Sequence, residues 1–179
     1  MPEILDLVNE KDEVIGTAPR EEVIQKRLLH RCADVYAIYN GKIVIEIRAA
    51  SKCQRPLNYS VMEETLHTGE KYEAAAIRGI SEELGLKAKW IKKIGKNLTR
   101  DPENGNQHFN GVFVAECEGE IKIDKNEVEE AVLMDFGKIR ELLKREKKVS
   151  PALRESFGMF KKYLNSKGKT LRTGWENEA

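Results

Sequence analysis

Arg78, Glu82 and Glu83 are residues whose types and spacing could do chemistry. On a helix, Arg78 and Glu82 are four apart on one face and Glu83 is one step round, so a cation and two carboxylates leave it side by side. Neighbouring carboxylates raise each other's pKa unless a cation compensates. A hard, oxygen-seeking ion such as Mg²⁺, which binds one or two carboxylates plus substrate phosphates, would be that cation. The expected chemistry is metal-assisted work on a phosphate. The alternative is a solvated glutamate face in a chain that is 34% charged.

The element that must position them is a helix from about Tyr72 to Leu84. Ala74, Ile77, Leu84 and, near their edge, Ile80 recur at spacings of three, four and seven and form the expected buried stripe. Gly85 follows the last apolar position and suits a left-handed C-terminal turn, while Thr68-Gly69 provides the entering loop. Gly79, inside the helix, costs about 0.5–1 kcal/mol relative to alanine, which calls for a local reason such as a group passing over it.

Residues 64–86, ETLHTGEKYEAAAIRGISEELGL, fit the spaced pattern G-x5-E-x7-R-E-U-x-E-E-x-G-U (U aliphatic) at seven of nine specified positions. The segment resembles a Nudix box. Glu70, Arg78, Ile80, Glu82, Glu83, Gly85 and Leu86 match, whereas Glu64 stands where the pattern has its first glycine and Gly79 where it has a glutamate. The resemblance implies a metal-dependent hydrolase that splits a diphosphate in a nucleoside diphosphate derivative, using Mg²⁺ or Mn²⁺. It assigns Glu82 and Glu83 to metal, and makes Glu70, Arg78, Gly79 and Gly85 the supporting positions of the motif. Glu127, in Asn126-Glu127-Val128, matches a further metal or base carboxylate. The glutamate missing at position 79 is a metal ligand in most such hydrolases. In that fold the carboxylate of Glu64 would pass over Gly79 and take the ligand position; the competing expectation is a weakened or inactive site.

The order from Ile4 to Arg48 is similar to the start of the Nudix branch holding type I isopentenyl diphosphate isomerases and their hydrolase relatives, and Arg48-Ala49-Ala50-Ser51-Lys52 with Pro56 resembles its R-x-x-S-K-x-x-x-P segment. The resemblance covers roughly residues 4–136 and implies an α+β Nudix fold, a mixed β-sheet sandwiched between helices. The isomerases' catalytic Cys and metal-binding His fall on Glu63 and Thr65, and their later metal carboxylates fall near Asn106 and His108, so this ranks below hydrolase. A third reading is a degenerate domain that binds nucleotide without turnover. Arg48 and Lys52 are expected to meet phosphate, and His108 to contact substrate. His30 is expected to be structural, His67 solvated and Cys53 incidental.

Around these residues the chain reads as strands at Ile4–Val8 and Val14–Thr17, a helix near Arg20–Lys26, and a hairpin of Val35–Tyr39 with Ile43–Arg48 about Asn40-Gly41. Further strands are expected at Lys89–Ile94, Phe109–Glu116 and Ile121–Ile123, with Asp101–Gln107 as a loop. Helices near Phe136–Lys144 and Pro151–Leu164 follow, the second capped by Ser150. One domain is expected over residues 1–164, followed by a polar tail, 165–179, in which Trp175 hints at docking. With 31 basic and 30 acidic residues, a dedicated nucleic-acid binder is not expected. Three cysteines without C-x-x-C spacing suggest neither disulfides nor zinc, and a cytoplasmic location. The partner expected is a small-molecule diphosphate, with no membrane; a homodimer is left open.

Overall fold

The computed structural model describes residues 2–167. Two strands, β1 (Ile4–Val8) and β2 (Val14–Pro19), form a small antiparallel sheet, and α1 (Arg20–Lys26) follows directly. The larger sheet has the order β5 (Tyr59–Ser60), β4 (Lys42–Arg48), β3 (His30–Tyr39), β8 (Gln107–Glu118), β7 (Lys87–Arg100). Two more strands join it: β6 (Met62–Thr65) on β3 and β9 (Val128–Met134) on β4. The central pair β3–β8 is parallel, in register from His30 opposite His108 to Tyr39 opposite Cys117; the other pairings are antiparallel.

Both central strands are buried along most of their length, as parallel strands covered on both faces must be. On one face α2 (Tyr72–Leu84) lays Ala75, Ala76, Ile80 and Leu84 over Ala33, Val35 and Phe113. On the other, α3 (Phe136–Arg145) and α4 (Pro151–Lys167) bring Ile139, Leu153 and Phe160 onto Tyr36, Ile43 and Val112. Tyr36 and Phe160 stack at 4.2 Å between ring centroids, a pairing that contributes about 0.5–1.5 kcal/mol beyond area burial. This is an α+β fold with a mixed sheet between helices.

The α2 limits, the Gly85 turn (φ +67°) and the Asn40-Gly41 hairpin with both residues at positive φ follow the sequence. The Ser150 Oγ accepts the Leu153 N–H at 3.2 Å, as an N-cap should. Three expectations need correction. Ala74 and Ile77 are exposed, and α2 instead buries Ala75, Ala76, Gly79, Ile80, Glu83 and Leu84. The true inner face includes a glycine and a glutamate, which an apolar-stripe reading turns outward.

Residues 121–123 are not a strand. They form a strap over the C-terminal end of α2, where the Lys122 and Asp124 N–H groups donate to the carbonyls of Leu84 (2.8 Å) and Glu83 (3.0 Å). Those carbonyls have no partner within the helix, so the strap satisfies them. A Cβ on Gly85 would lie 2.8 Å from the Lys122 Cβ, so that position requires glycine for space as well as for φ. The missed last strand is β9, and the missed short strands are β5 and β6, the second of which carries Glu63 and Glu64. The final helix continues past Leu164 to Lys167, while Trp175 and the rest of the tail lie outside the described residues.

Candidate active site

The loop entering α2 is held from two sides. Its Thr68 and Gly69 N–H groups donate to the Ile4 carbonyl (2.9 Å) and to Asp6 Oδ2 (3.0 Å), which docks it on the small sheet. Arg78 then ties loop, strand and helix together. Its guanidinium donates to Glu70 at 3.0 and 2.8 Å and to the Thr65 carbonyl at 2.9 Å, and pairs with Glu64 and Glu82 at 3.2 Å each. Burial works against the charged form of Glu70, but Arg78 and the His67 N–H hold its carboxyl below the usual range.

Glu64 lies directly over Gly79. A Cβ built at residue 79 would stand 2.9 Å from the Glu64 Cβ and 2.6 Å from the Met62 Sδ, so a side chain at 79 and the present path of β6 exclude each other. The helix-weakening glycine thus has a packing reason. Glu64 itself is 9% exposed; burial raises its pKa and Arg78 partly offsets this.

Beside it stand Glu83 from α2, Glu46 from β4 and Glu127 from the turn before β9. Burial pushes Glu83 well above the carboxylate range, and the charges of Glu46, Glu64 and Glu127 push it further. Glu46, fully buried, is raised to about 8 by desolvation; Arg48 opposes the shift while Glu127 adds to it. Its Oε1 has no hydrogen-bond partner among the described residues. Carboxylates gathered in this way, one with an orphaned oxygen, suit a hard divalent cation, which would lower all of these pKa values at once. Glu46 was missed because strand periodicity treats IVIEIR as apolar filling; the signal was a lone carboxylate inside that run.

Glu64, Glu83 and Glu127 open on a cavity of about 240 Å³, whose wall does not include Glu46. Its wall includes Arg20, Arg48, Lys52 and His67 as well as the carboxylates, so anionic and cationic groups face one space. Lys52 pairs with Glu127, and Arg48 donates to the Gln54 carbonyl at 3.3 Å. Glu82 is more exposed than Glu83 and lies on the Arg78 side of the helix. His67 is half-exposed and pairs with Glu3. His108 does not line this cavity. It is buried, stacks on His30 at 5.4 Å and lines a smaller adjoining cavity that shares Arg48, Gln54 and Asn106 with the first. Cys53 is exposed.

The family model for the NUDIX domain matches residues 28–155. A Nudix hydrolase of Streptomyces coelicolor, itself named as uncharacterised, is 39% identical over 85 residues, 46% of this chain and 47% of that protein. The match thus spans about half of that relative's length. The isopentenyl-diphosphate Delta-isomerase 2 of Photorhabdus laumondii is 29% identical over 158 residues, 80% of this chain and 83% of that enzyme. Among solved structures, a Deinococcus radiodurans protein superposes with a TM-score of 0.69 at 22% identity, over 86% of this chain and 96% of that one. The Bacillus subtilis pyrophosphohydrolase superposes at 0.61 and 23% identity, over 78% and 83%.

Proposed function

The chain belongs to the NUDIX domain family, and from that premise we propose that it is a Mg²⁺- or Mn²⁺-dependent hydrolase of a diphosphate linkage in a nucleoside diphosphate derivative. The observation that carries the reading is the meeting of Glu64, Glu83 and Glu127 at a cavity also lined by Arg48 and Lys52, with the buried Glu46 near enough to raise the pKa of Glu83. Glu46, Glu64 and Glu83 would hold the ion, with Glu82 completing the set from the outer side of α2. Bound there, the ion supplies charge neutralisation for the diphosphate oxygens and acidifies water.

The chain's own groups do the rest. Arg48 and Lys52 bind and orient the substrate's phosphates, and when Lys52 turns to phosphate it releases Glu127 from their ion pair. Glu127, at the cavity rim, then takes the proton of the attacking water. The water oxygen bonds to phosphorus, the bridging P–O bond breaks, and two phosphate-bearing products leave. Arg78 and Glu70 act as positioning residues by fixing the loop and Glu64. Substitution of Glu64 for the box glutamate preserves a carboxylate in the same place, so turnover is retained.

The isomerase-like relative does not change this reading, because Glu63 and Thr65 occupy the positions that would need a thiol and an imidazole. The test is a panel of nucleoside diphosphate derivatives and a five-carbon diphosphate, incubated with Mg²⁺ or Mn²⁺ and followed by product analysis. Metal-dependent phosphate products support hydrolysis. Isomerised five-carbon diphosphate, or thermal stabilisation by nucleotide with no product, would replace it with the isomerase or the binding domain.

A further inference from the structure

A second group of ligating side chains lies beneath the same cavity and takes no part in the carboxylate cluster. His30 and His108 sit directly opposite each other on the parallel pair β3–β8, and Cys32 follows His30 by two residues, on the same face of the strand. One ligand atom from each of the three lies within 4.8 Å of the others, and all three side chains are buried. We propose that His30, Cys32 and His108 form a binding site for a thiophilic divalent cation of the zinc class, distinct from the oxygen-only site that takes Mg²⁺ or Mn²⁺.

The hydrogen bonding supports a site ready for a metal. The Leu28 carbonyl can only accept, so His30 Nδ1 donates its proton there at 2.9 Å and leaves the Nε2 lone pair free. An outer hydrogen bond of this kind is what orients metal-bound imidazoles. His108 Nδ1 is buried and has no partner among the described residues, although a buried polar atom left unpaired costs about 1–3 kcal/mol. Among the described residues the Cys32 Sγ has only a long contact, 3.9 Å to Thr65 Oγ1. Burial lowers the pKa of both histidines to about 4, leaving imidazoles neutral at neutral pH, the state that binds metal.

The donor set decides the class of ion. Two imidazole nitrogens and a thiolate select zinc, cobalt or iron(II) over magnesium. Tetrahedral ligand atoms around zinc lie roughly 3.3–3.6 Å apart, so the three need to draw in by about 1 Å, and the two imidazoles, stacked at 11° to one another, need to tilt so that their lone pairs converge. Cation binding replaces the thiol proton, which leaves to solvent. His30 and Cys32 also line the main cavity, so the fourth coordination position opens on the space where the diphosphate would lie.

The experiment uses the full chain carrying Cys53→Ser, which removes the exposed thiol, stripped with chelator and titrated with Co²⁺ alone. The expected result is an intense near-ultraviolet thiolate-to-cobalt band that saturates at one Co²⁺ per chain, separate from any spectrally weak Co²⁺ held by the carboxylates, and that is displaced by Zn²⁺. A Cys32→Ser change should remove the band and weaken Co²⁺ binding by about 10-fold or more. Glu83→Gln should keep the band, which separates this site from the carboxylate cluster. Absence of the band in the Cys53→Ser chain, a reading that needs no change at the site, overturns the proposal. So does a band that survives Cys32→Ser or vanishes with Glu83→Gln in folded protein.

Discussion

The two faces of the central sheet differ in how far their buried polar groups pair with one another. Against α2, Glu46, Glu64 and Glu83 are crowded so that Glu46 and Glu64 raise the pKa of Glu83 and Glu64 raises that of Glu46, and Arg78 compensates only one side of the group. Against α4, polar groups close on one another. The hydroxyls of Tyr36 and Ser156 meet at 2.8 Å, Thr99 Oγ1 donates to Glu155 at 2.6 Å, and Asn110 donates to Thr99 at 2.9 Å. The second arrangement is hydrogen-bonded mostly within the protein and supports stability, although Asn110 Oδ1 and both oxygens of the buried Asp34 on that face have no hydrogen-bond partner among the described residues. The first is short of positive charge, and perturbed carboxylates in a cleft mark the place where function is sought.

The comparison breaks most sharply at Glu83. Glu83→Gln removes a carboxylate from the charge-poor face while keeping its volume, so turnover should fall by roughly 100-fold or more and Mg²⁺ affinity should fall with it. Unchanged rate and affinity in a folded variant would show that the cluster has no metal role.

The next largest effect concerns Glu64 and Gly79, which touch. Gly79→Glu alone forces β6 aside and should lower turnover by roughly 10- to 100-fold. Adding Glu64→Gly, which restores the ordinary box order, should return part of the activity lost in Glu64→Gly. Coupling of about 0.5–3 kcal/mol on the barrier is expected in the double-mutant cycle; additivity would mean that the two sites serve separate ends.

A pH experiment sharpens the same contrast. Glu46 keeps its proton in the folded chain up to about pH 8, against 4.5 for the ordinary carboxyl. Its folded pKa is raised, so its contribution to stability is full below about 4.5 and is lost as pH climbs to about 8. Melting temperature in chelator should therefore drop across that window, and Mg²⁺ should restore part of it. Glu46→Gln should reduce both responses, leaving the share of Glu64, Glu83 and Asp34, whose carboxyls are also raised; a slope unchanged in this variant would locate the titration elsewhere.

The smallest effect belongs to the hydrogen-bonded network under α4. Tyr36→Phe removes one hydroxyl from a network in which Ser156 keeps its bond to the Ala152 carbonyl. A loss of about 0.5–1.5 kcal/mol by denaturant unfolding is expected, with kcat and metal affinity unchanged. A large drop in kcat would mean that the two faces are coupled.

How much of this could be read from sequence follows the range of the interactions involved. The α2 limits, the Gly85 turn and the Asn40-Gly41 hairpin are set by neighbours a few residues away, and they were legible. So was the geometric relation between Glu64 and Gly79, because the fold that the resemblance implies lays the strand end against this helix. Glu46, the strap at 121–123 and the cluster of His30 with His108 were not. Each depends on strand register between distant segments, and a buried carboxylate or histidine carries no periodic signal of its own. The same limit explains the misplaced stripe on α2, whose inner face contains the catalytic candidate Glu83 beside Ala76 and Ile80.

The parallel pairing of β3 with β8 also has a consequence in time. These strands come from distant parts of the chain, with β4, α2 and β7 between them, and closing such a loop must precede any reward from the contacts it creates. Helix α2, with its local cap and Arg78 brace, forms on a much shorter timescale. During refolding, helical signal should therefore return well before the cavity does, and recovery of activity should keep pace with protection of the β3–β8 amides against hydrogen exchange.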